Sequence, residues 1–153
     1  MPGAVELSEV QPGDAQEVRL LMARVIRVSV THDRELLAET IANVFQNVDA
    51  WLADPARCVH YLARIDGRIV GVVLVKEFWN LCSLFVDPAL HGQGIGRALL
   101  EAACNACTGR SPKGAIFLNA APNAIGFYRR LGFVERESAR ELPAGFLAMK
   151  RAL

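Results

Sequence analysis

No apolar run in this sequence approaches the ~20 residues that a membrane span requires. Charge of one sign is lacking too. Seventeen Lys and Arg against 16 Asp and Glu leave a formal net charge of +1, which gives no electrostatic argument for nucleic acid or an anionic membrane as partner. The opening residues MPGAVELSEVQPGD hold acids and no basic-then-apolar order, so a secretory signal is not expected and a cytoplasmic setting is. Cysteine is sparse, and without an oxidising compartment Cys58, Cys82, Cys104 and Cys107 are expected to stay thiols. Cys104 and Cys107 have a zinc-like spacing, but no second cysteine pair accompanies them and the only histidines are His32, His60 and His91. They read as small residues on a buried helix face, and no metal site is expected. Repeats, low-complexity tracts and linkers are also missing.

What is present is a chain of 153 residues, one domain's worth, with 52% hydrophobic and 22% charged residues. Such a composition buries a single substantial core and does not describe a disordered chain.

One stretch organises it, NLCSLFVDPALHGQGIGRALL from Asn80 to Leu100. Leu81 to Val86 is a nearly continuous apolar run, as in a strand covered on both faces. Asp87 and Pro88 stop it, because proline cannot donate to a ladder. His91-Gly92-Gln93-Gly94-Ile95-Gly96-Arg97 follows, and Ile95, Ala98, Leu99, Ala102 and Ala103 then recur at helical spacing. Alternating glycines let the backbone approach a ligand at positive φ. The free N–H groups and the positive dipole end of the helix face the same place, which makes a cradle for a phosphate. A ligand-free strand-to-helix turn is the plain alternative. Two phosphate loops do not fit. A P-loop needs Gly-Lys-Ser/Thr, and Gly96 is followed by Arg97 and Ala98. The dinucleotide fingerprint needs a small residue where this chain has Leu99 or Arg97.

Around that stretch the elements read in order. Val5 to Leu7 is a first strand. Asp14 with Glu17 forms a capping box for a helix carrying Val18, Leu21, Met22, Val25 and Ile26 down to about Arg27. After a break at Ser29 to His32, Thr31 or Asp33 caps a second helix with Leu36, Leu37, Ile41, Val44, Phe45 and Val48, ending near Trp51 or Asp54-Pro55. Cys58 to Ile65 and Arg68 to Lys76 are strands joined at Asp66-Gly67, a strong hairpin signal. A helix over 95–108 follows the glycine loop, then a strand from Ala115 to Asn119. The string Asn119-Ala-Ala-Pro-Asn123-Ala-Ile-Gly-Phe-Tyr128-Arg-Arg-Leu-Gly132-Phe133 starts a short helix at Pro122 and caps it at Gly132. A hairpin of Val134 to Ala139 and Gly145 to Lys150 closes the chain around Leu142-Pro143.

Two strings together resemble the Gcn5-related N-acetyltransferases, the GNAT family. His91-Gly92-Gln93-Gly94-Ile95-Gly96 is similar to the acyl-CoA motif (Arg/Gln)-x-x-Gly-x-Gly/Ala, with His91 in place of the first residue. The string from Asn119 to Phe133 is similar to the family's segment after the fifth strand. The resemblance covers the whole chain and implies an α/β (α+β) acyl-CoA N-acyltransferase fold. That fold has a mixed central sheet of six to seven strands with four helices, in the order β-α-α-β-β-β-α-β-α-β-β.

It also implies a chemistry: transfer of an acetyl group from acetyl-CoA, with no metal, directly to a primary amine of a small molecule or protein. The fourth and fifth strands would splay, and Leu84, Phe85 and Val86 would take the pantetheine arm and thioester. Gly92, Gln93, Gly94, Ile95, Gly96 and Arg97 would hold the pyrophosphate through N–H groups, Arg97 adding charge. Asn119 and Asn123 are both candidates to hydrogen-bond the cofactor arm. Tyr128, on residue statistics alone a packing aromatic, matches the general acid that protonates the departing thiolate. Asn80 stands where histone-type members carry a basic glutamate. Glu77, His60 and a water chain are substitutes, and no base is assigned. The family's acceptor is set by the loop here at Val28 to Asp33 and by the turn containing Trp79. A non-catalytic acyl-CoA-binding domain and a transferase of longer acyl groups are the alternatives. Homodimers are common in the family.

Overall fold

The computed structural model describes residues 3–30 and 33–153. Its centre is a seven-stranded mixed sheet in the order β1-β2-β3-β4-β5-β7-β6. Strand β1 (Glu6–Glu9) is an exposed edge pairing antiparallel with β2. Helix α1 (Ala15–Val25) continues into a wider turn over Ile26–Val30, and α2 (Arg34–Ala53) follows. The expected box at Asp14 and Glu17 lies one turn earlier: the Asp14 carboxylate accepts from the Gln11 N–H at 2.8 Å. Glu17 is drawn away to the sheet, where its carboxylate accepts from the Ile69 N–H at 3.0 Å. Asp33 caps α2 by accepting from the Leu36 N–H at 2.9 Å. The alternative cap Thr31, with His32, lies outside the described residues.

Strands β2 (Cys58–Ile65) and β3 (Arg68–Lys76) form the expected hairpin. Asp66 and Gly67 both hold positive φ, 50° and 78°, as a two-residue turn matched to strand twist requires. Strand β4 (Asn80–Val86) is antiparallel to β3 with one irregularity: Leu81 faces Val75, Ser83 faces Leu74, and Cys82 is the extra residue. That bulge resets the alternation. Leu81, Leu84 and Val86 join one core cluster, whereas Cys82 and Phe85 join the other.

Helix α3 (Ile95–Cys107) covers the first face of the sheet, and α1 with α2 cover the second. Gly71 of β3 lets α3 come close, since a Cβ there would lie 2.9 Å from Leu99 and 3.2 Å from Ile95. Strand β5 (Ala115–Ala120), helix α4 (Ile125–Arg130), β6 (Val134–Glu135) and β7 (Leu147–Ala152) complete the chain. The final hairpin differs from expectation. Strand β6 spans only two residues; the Arg136 N–H still donates to the Ala148 carbonyl at 2.9 Å, and its side chain donates to the Met149 carbonyl at 3.2 Å. Strand β7 starts at Leu147, since Gly145 sits at φ 82° in a turn closed by Phe146 N–H to Pro143 O at 3.1 Å.

All four cysteines are free thiols, Cys104 and Cys107 on the buried face of α3. His60 lies in β2, buried against Trp51 with ring centroids 4.5 Å apart, and neither ring nitrogen has a hydrogen-bond partner. Burial depresses its pKa to about 4, outweighing the nearby charge of Asp14. The unfolded chain, with an imidazole near ~6.5, therefore binds more protons between those values. Stability is fully present above about pH 6.5 and falls by on the order of 3 kcal/mol on acidification to about pH 4. Urea unfolding at a series of pH values checks this, and His60→Leu is expected to flatten the slope across that window.

Candidate active site

Strands β4 and β5 are parallel neighbours, yet they share a single pairing, Asn80 opposite Phe117, where the Phe117 N–H donates to the Trp79 carbonyl at 2.7 Å. Beyond it the two strands part. From Leu81 onward β4 has no ladder partner in β5, so one edge of its backbone faces the gap. A cleft of about 900 Å³ occupies that gap. Its walls are β4, the glycine loop, the first turn of α3, the end of β5 and the start of α4. Leu36, Glu39, Thr40 and Asn43 of α2 and Pro143 and Phe146 after β6 line it as well.

Asp87 fixes the end of β4. Burial pushes its carboxyl up, but the Ala89 N–H at 3.0 Å, Arg24 at 2.7 Å and the charge of Arg68 outweigh that and hold it below the usual carboxylate range. His91 does not point at the loop's interior. Its Nε2–H donates to the Val86 carbonyl at 2.9 Å, which ties the loop to the strand end. Gly92 and Gly94 hold φ of 80° and 83° with open space where a Cβ would stand. Gly94 is the N-cap of α3 and offers no side chain, so the first-turn N–H groups face the cleft uncapped. At Gly96 a Cβ would lie 3.4 Å from the Phe127 ring, so a larger residue narrows the cleft at the helix start.

Of the residues singled out from sequence, Leu84, Phe85, Val86, Gly92, Gly94, Ile95, Gly96, Asn119, Asn123 and Tyr128 all line this cleft. Gln93 and Arg97 are exposed beside it. Glu101 lies below the usual range chiefly through Arg151, and the charge of Arg97 contributes. Asn119 Oδ1 accepts from Arg136 Nη2 at 3.2 Å. Tyr128 is buried with its ring edge-on to Phe127 and Phe133 at 5.2 and 5.5 Å. Burial alone pushes its phenol well above the ordinary value, so the hydroxyl keeps its proton at neutral pH. Cys82, in the cleft wall, has its thiol pushed up to about 11, chiefly by burial.

The two side chains weighed as substitute bases are elsewhere. His60 is in the core under α1 and α2, and Glu77 pairs with Arg57 at the β3–β4 turn. Trp79 also stays out of the cleft, edge-on to Phe117 at 5.6 Å. Sequence reasoning missed Glu39, the only carboxylate lining the cleft among the described residues. A signal was there: Glu39, Asn43 and Asn47 recur every four residues on α2, a polar stripe on one face.

A mixed sheet that opens between two parallel strands onto a glycine-cradled helix start defines the class. Residues 31–150 match the acetyltransferase (GNAT) domain family, and the chain belongs to it. An N-alpha-acetyltransferase RimI of Mycobacterium tuberculosis is 30% identical over 120 residues, covering 66% of this chain and 72% of that one. An uncharacterized N-acetyltransferase of Methanocaldococcus jannaschii is 29% identical over 115 residues, 67% of this chain; the match spans 49% of that relative's length. Among solved structures, PaiA N-acetyltransferase from Thermoplasma acidophilum, in complex with coenzyme A, superposes with a TM-score of 0.77. It is 14% identical, over 98% of this chain and 99% of that one, a likeness of fold.

Proposed function

We propose that residues 1–153 form a single GNAT domain that transfers the acetyl group of acetyl-CoA to a primary amine. The observation that carries this reading is the unpaired edge of β4, running into the uncapped start of α3 in a cleft of cofactor size. The backbone of Leu84 to Val86 offers donors and acceptors to an amide-bearing arm. The N–H groups from Gly92 to Arg97 face a pyrophosphate. Asn119 and Asn123 stand on the opposite wall as further hydrogen-bonding groups for the arm.

Tyr128 acts as general acid. The neutral amine nitrogen bonds to the acyl carbon, the C–S bond breaks, the phenol gives its proton to the departing sulfur, and the proton shed by the nitrogen as the amide forms returns through solvent to the phenol. A free amine with a pKa near ~10 must first lose a proton to solvent. Glu39, the one carboxylate among the described residues that line the cleft, receives the ammonium form at the α2 side. Glu39→Gln is therefore expected to raise KM for the amine roughly tenfold, the scale of one charge-assisted hydrogen bond, and to leave acetyl-CoA affinity unchanged. Thiol release from acetyl-CoA across a panel of primary amines tests the reading. Amine-dependent release supports it. Release that no amine stimulates, from a protein that binds acetyl-CoA, would favour the non-catalytic alternative.

A further inference from the structure

Next to the cleft lies a second cavity of about 440 Å³. Asn43, Leu81, Cys82, Asn119, Pro143 and Phe146 line both, so the two adjoin. The chemistry of the second differs. Its polar lining is four carboxamides, Asn43, Asn47, Asn80 and Asn119, with two cations, Lys76 and Arg140. No carboxylate lines it among the described residues.

The cations are uncompensated. Among the described residues the ion pairs involve Arg19, Arg24, Arg57, Arg64, Arg68 and Arg151, and neither Lys76 nor Arg140 takes part. Glu77, adjacent to Lys76, is engaged by Arg57. Arg136 adds a third positive charge nearby, its pKa lowered by burial and by the charge of Arg140. A recess with positive charge, amide donors and no counter-ion attracts an anion of modest size.

Asn80 gains a reason here. It is the cross-strand partner of Lys76. A carboxylate at that position would pair with Lys76 and neutralise the recess, whereas a carboxamide leaves the cation free and adds a donor. Helix α2 joins the two cavities through its stripe: Glu39 lines the cleft, Asn43 both cavities and Asn47 the recess.

We infer that the acceptor is an amine that also carries a carboxylate, of the amino-acid or short-peptide class. Its nitrogen lies in the cleft near Glu39, and its carboxylate in the recess between Lys76 and Arg140. The inference rests on the N-acetyltransferase reading and narrows its substrate.

The test pairs each acid with its own primary amide, over α-amino acids, ω-amino acids and dipeptides. Binding is read by calorimetry on protein saturated with coenzyme A, independent of turnover. At least one acid is expected to bind roughly tenfold or more tighter than its amide. Lys76→Met and Arg140→Met should erase that advantage and leave acetyl-CoA affinity intact. Asn80→Asp should erase it too, by pairing with Lys76 without deleting a cation, which covers a Lys76 variant that fails to fold. Acids and amides binding alike, or an advantage that survives all three substitutions, would overturn the inference while acetyl-CoA still binds. Failure of acetyl-CoA itself to bind would overturn the underlying enzyme reading instead.

Discussion

Tyr128→Phe is expected to lower kcat by about a hundredfold or more, the usual contribution of a positioned general acid. Only one oxygen is removed. The ring keeps its edge-on contacts with Phe127 and Phe133, so unfolding temperature and acetyl-CoA affinity should stay near those of the wild type. Tyr128→Ala would not isolate the hydroxyl, because deleting a buried ring costs about 3–5 kcal/mol of stability. Burial puts the phenol far above its ordinary value, which raises the question of whether so weak an acid can help a thiolate whose ordinary pKa is about 8.5. Cys82 answers it from within the same wall. Its thiol is pushed up to about 11, chiefly by burial, so a thiolate desolvated as Cys82 is becomes a stronger base than one in water. The same desolvation moves the acid and a sulfur in this wall in the same direction. The pH profile of kcat should accordingly show no loss from Tyr128 below about pH 10. A kcat unchanged in the Phe variant would remove Tyr128 from the mechanism.

Gly96→Glu is expected to abolish protection of the fold by acetyl-CoA. Two effects act together. A Cβ at residue 96 would stand 3.4 Å from Phe127, and the carboxylate would bring negative charge to the open first turn of α3, where a pyrophosphate is to sit. A cosubstrate at about a hundred times its Kd stabilises the native state by about 2.7 kcal/mol, a shift in unfolding temperature readily seen by scanning. The wild type should show that shift and the variant should not. Gly96 itself is helical and unstrained, so the variant should fold. A variant protected as fully as the wild type would place the cofactor elsewhere.

Much of this was legible in the chain. Strands β2 and β3 lie on either side of Asp66-Gly67 as that hairpin signal implies, and the glycine loop opens α3 as its spacing implies. What escaped depended on the third dimension. The Cys82 bulge, which sends Leu84 and Val86 to the α3 side, is a register event between two strands that each look regular alone. Glu17 reads as a cap because capping is local, but a backbone N–H of β3 claims it. Strand β6 is shorter than its residues suggest, and the Arg136 side chain beyond it reaches the Met149 carbonyl, a long-range contact that propensity does not encode. At the site, both motifs converge on the cleft because each marks a backbone turn. The α2 wall carries no motif. Glu39 and Asn43 look like solvated helix residues until the fold brings them to the cleft that Tyr128 also lines.

The most direct test of the central claim is calorimetric titration of the protein with acetyl-CoA, beside free CoA and a desulfo analogue. A cleft built from the open edge of β4 and the cradle of α3 should bind acetyl-CoA at micromolar concentration or tighter, with a sharp loss in Gly96→Glu. A folded protein that binds none of the three would contradict it: the glycine loop would then be a turn and nothing more.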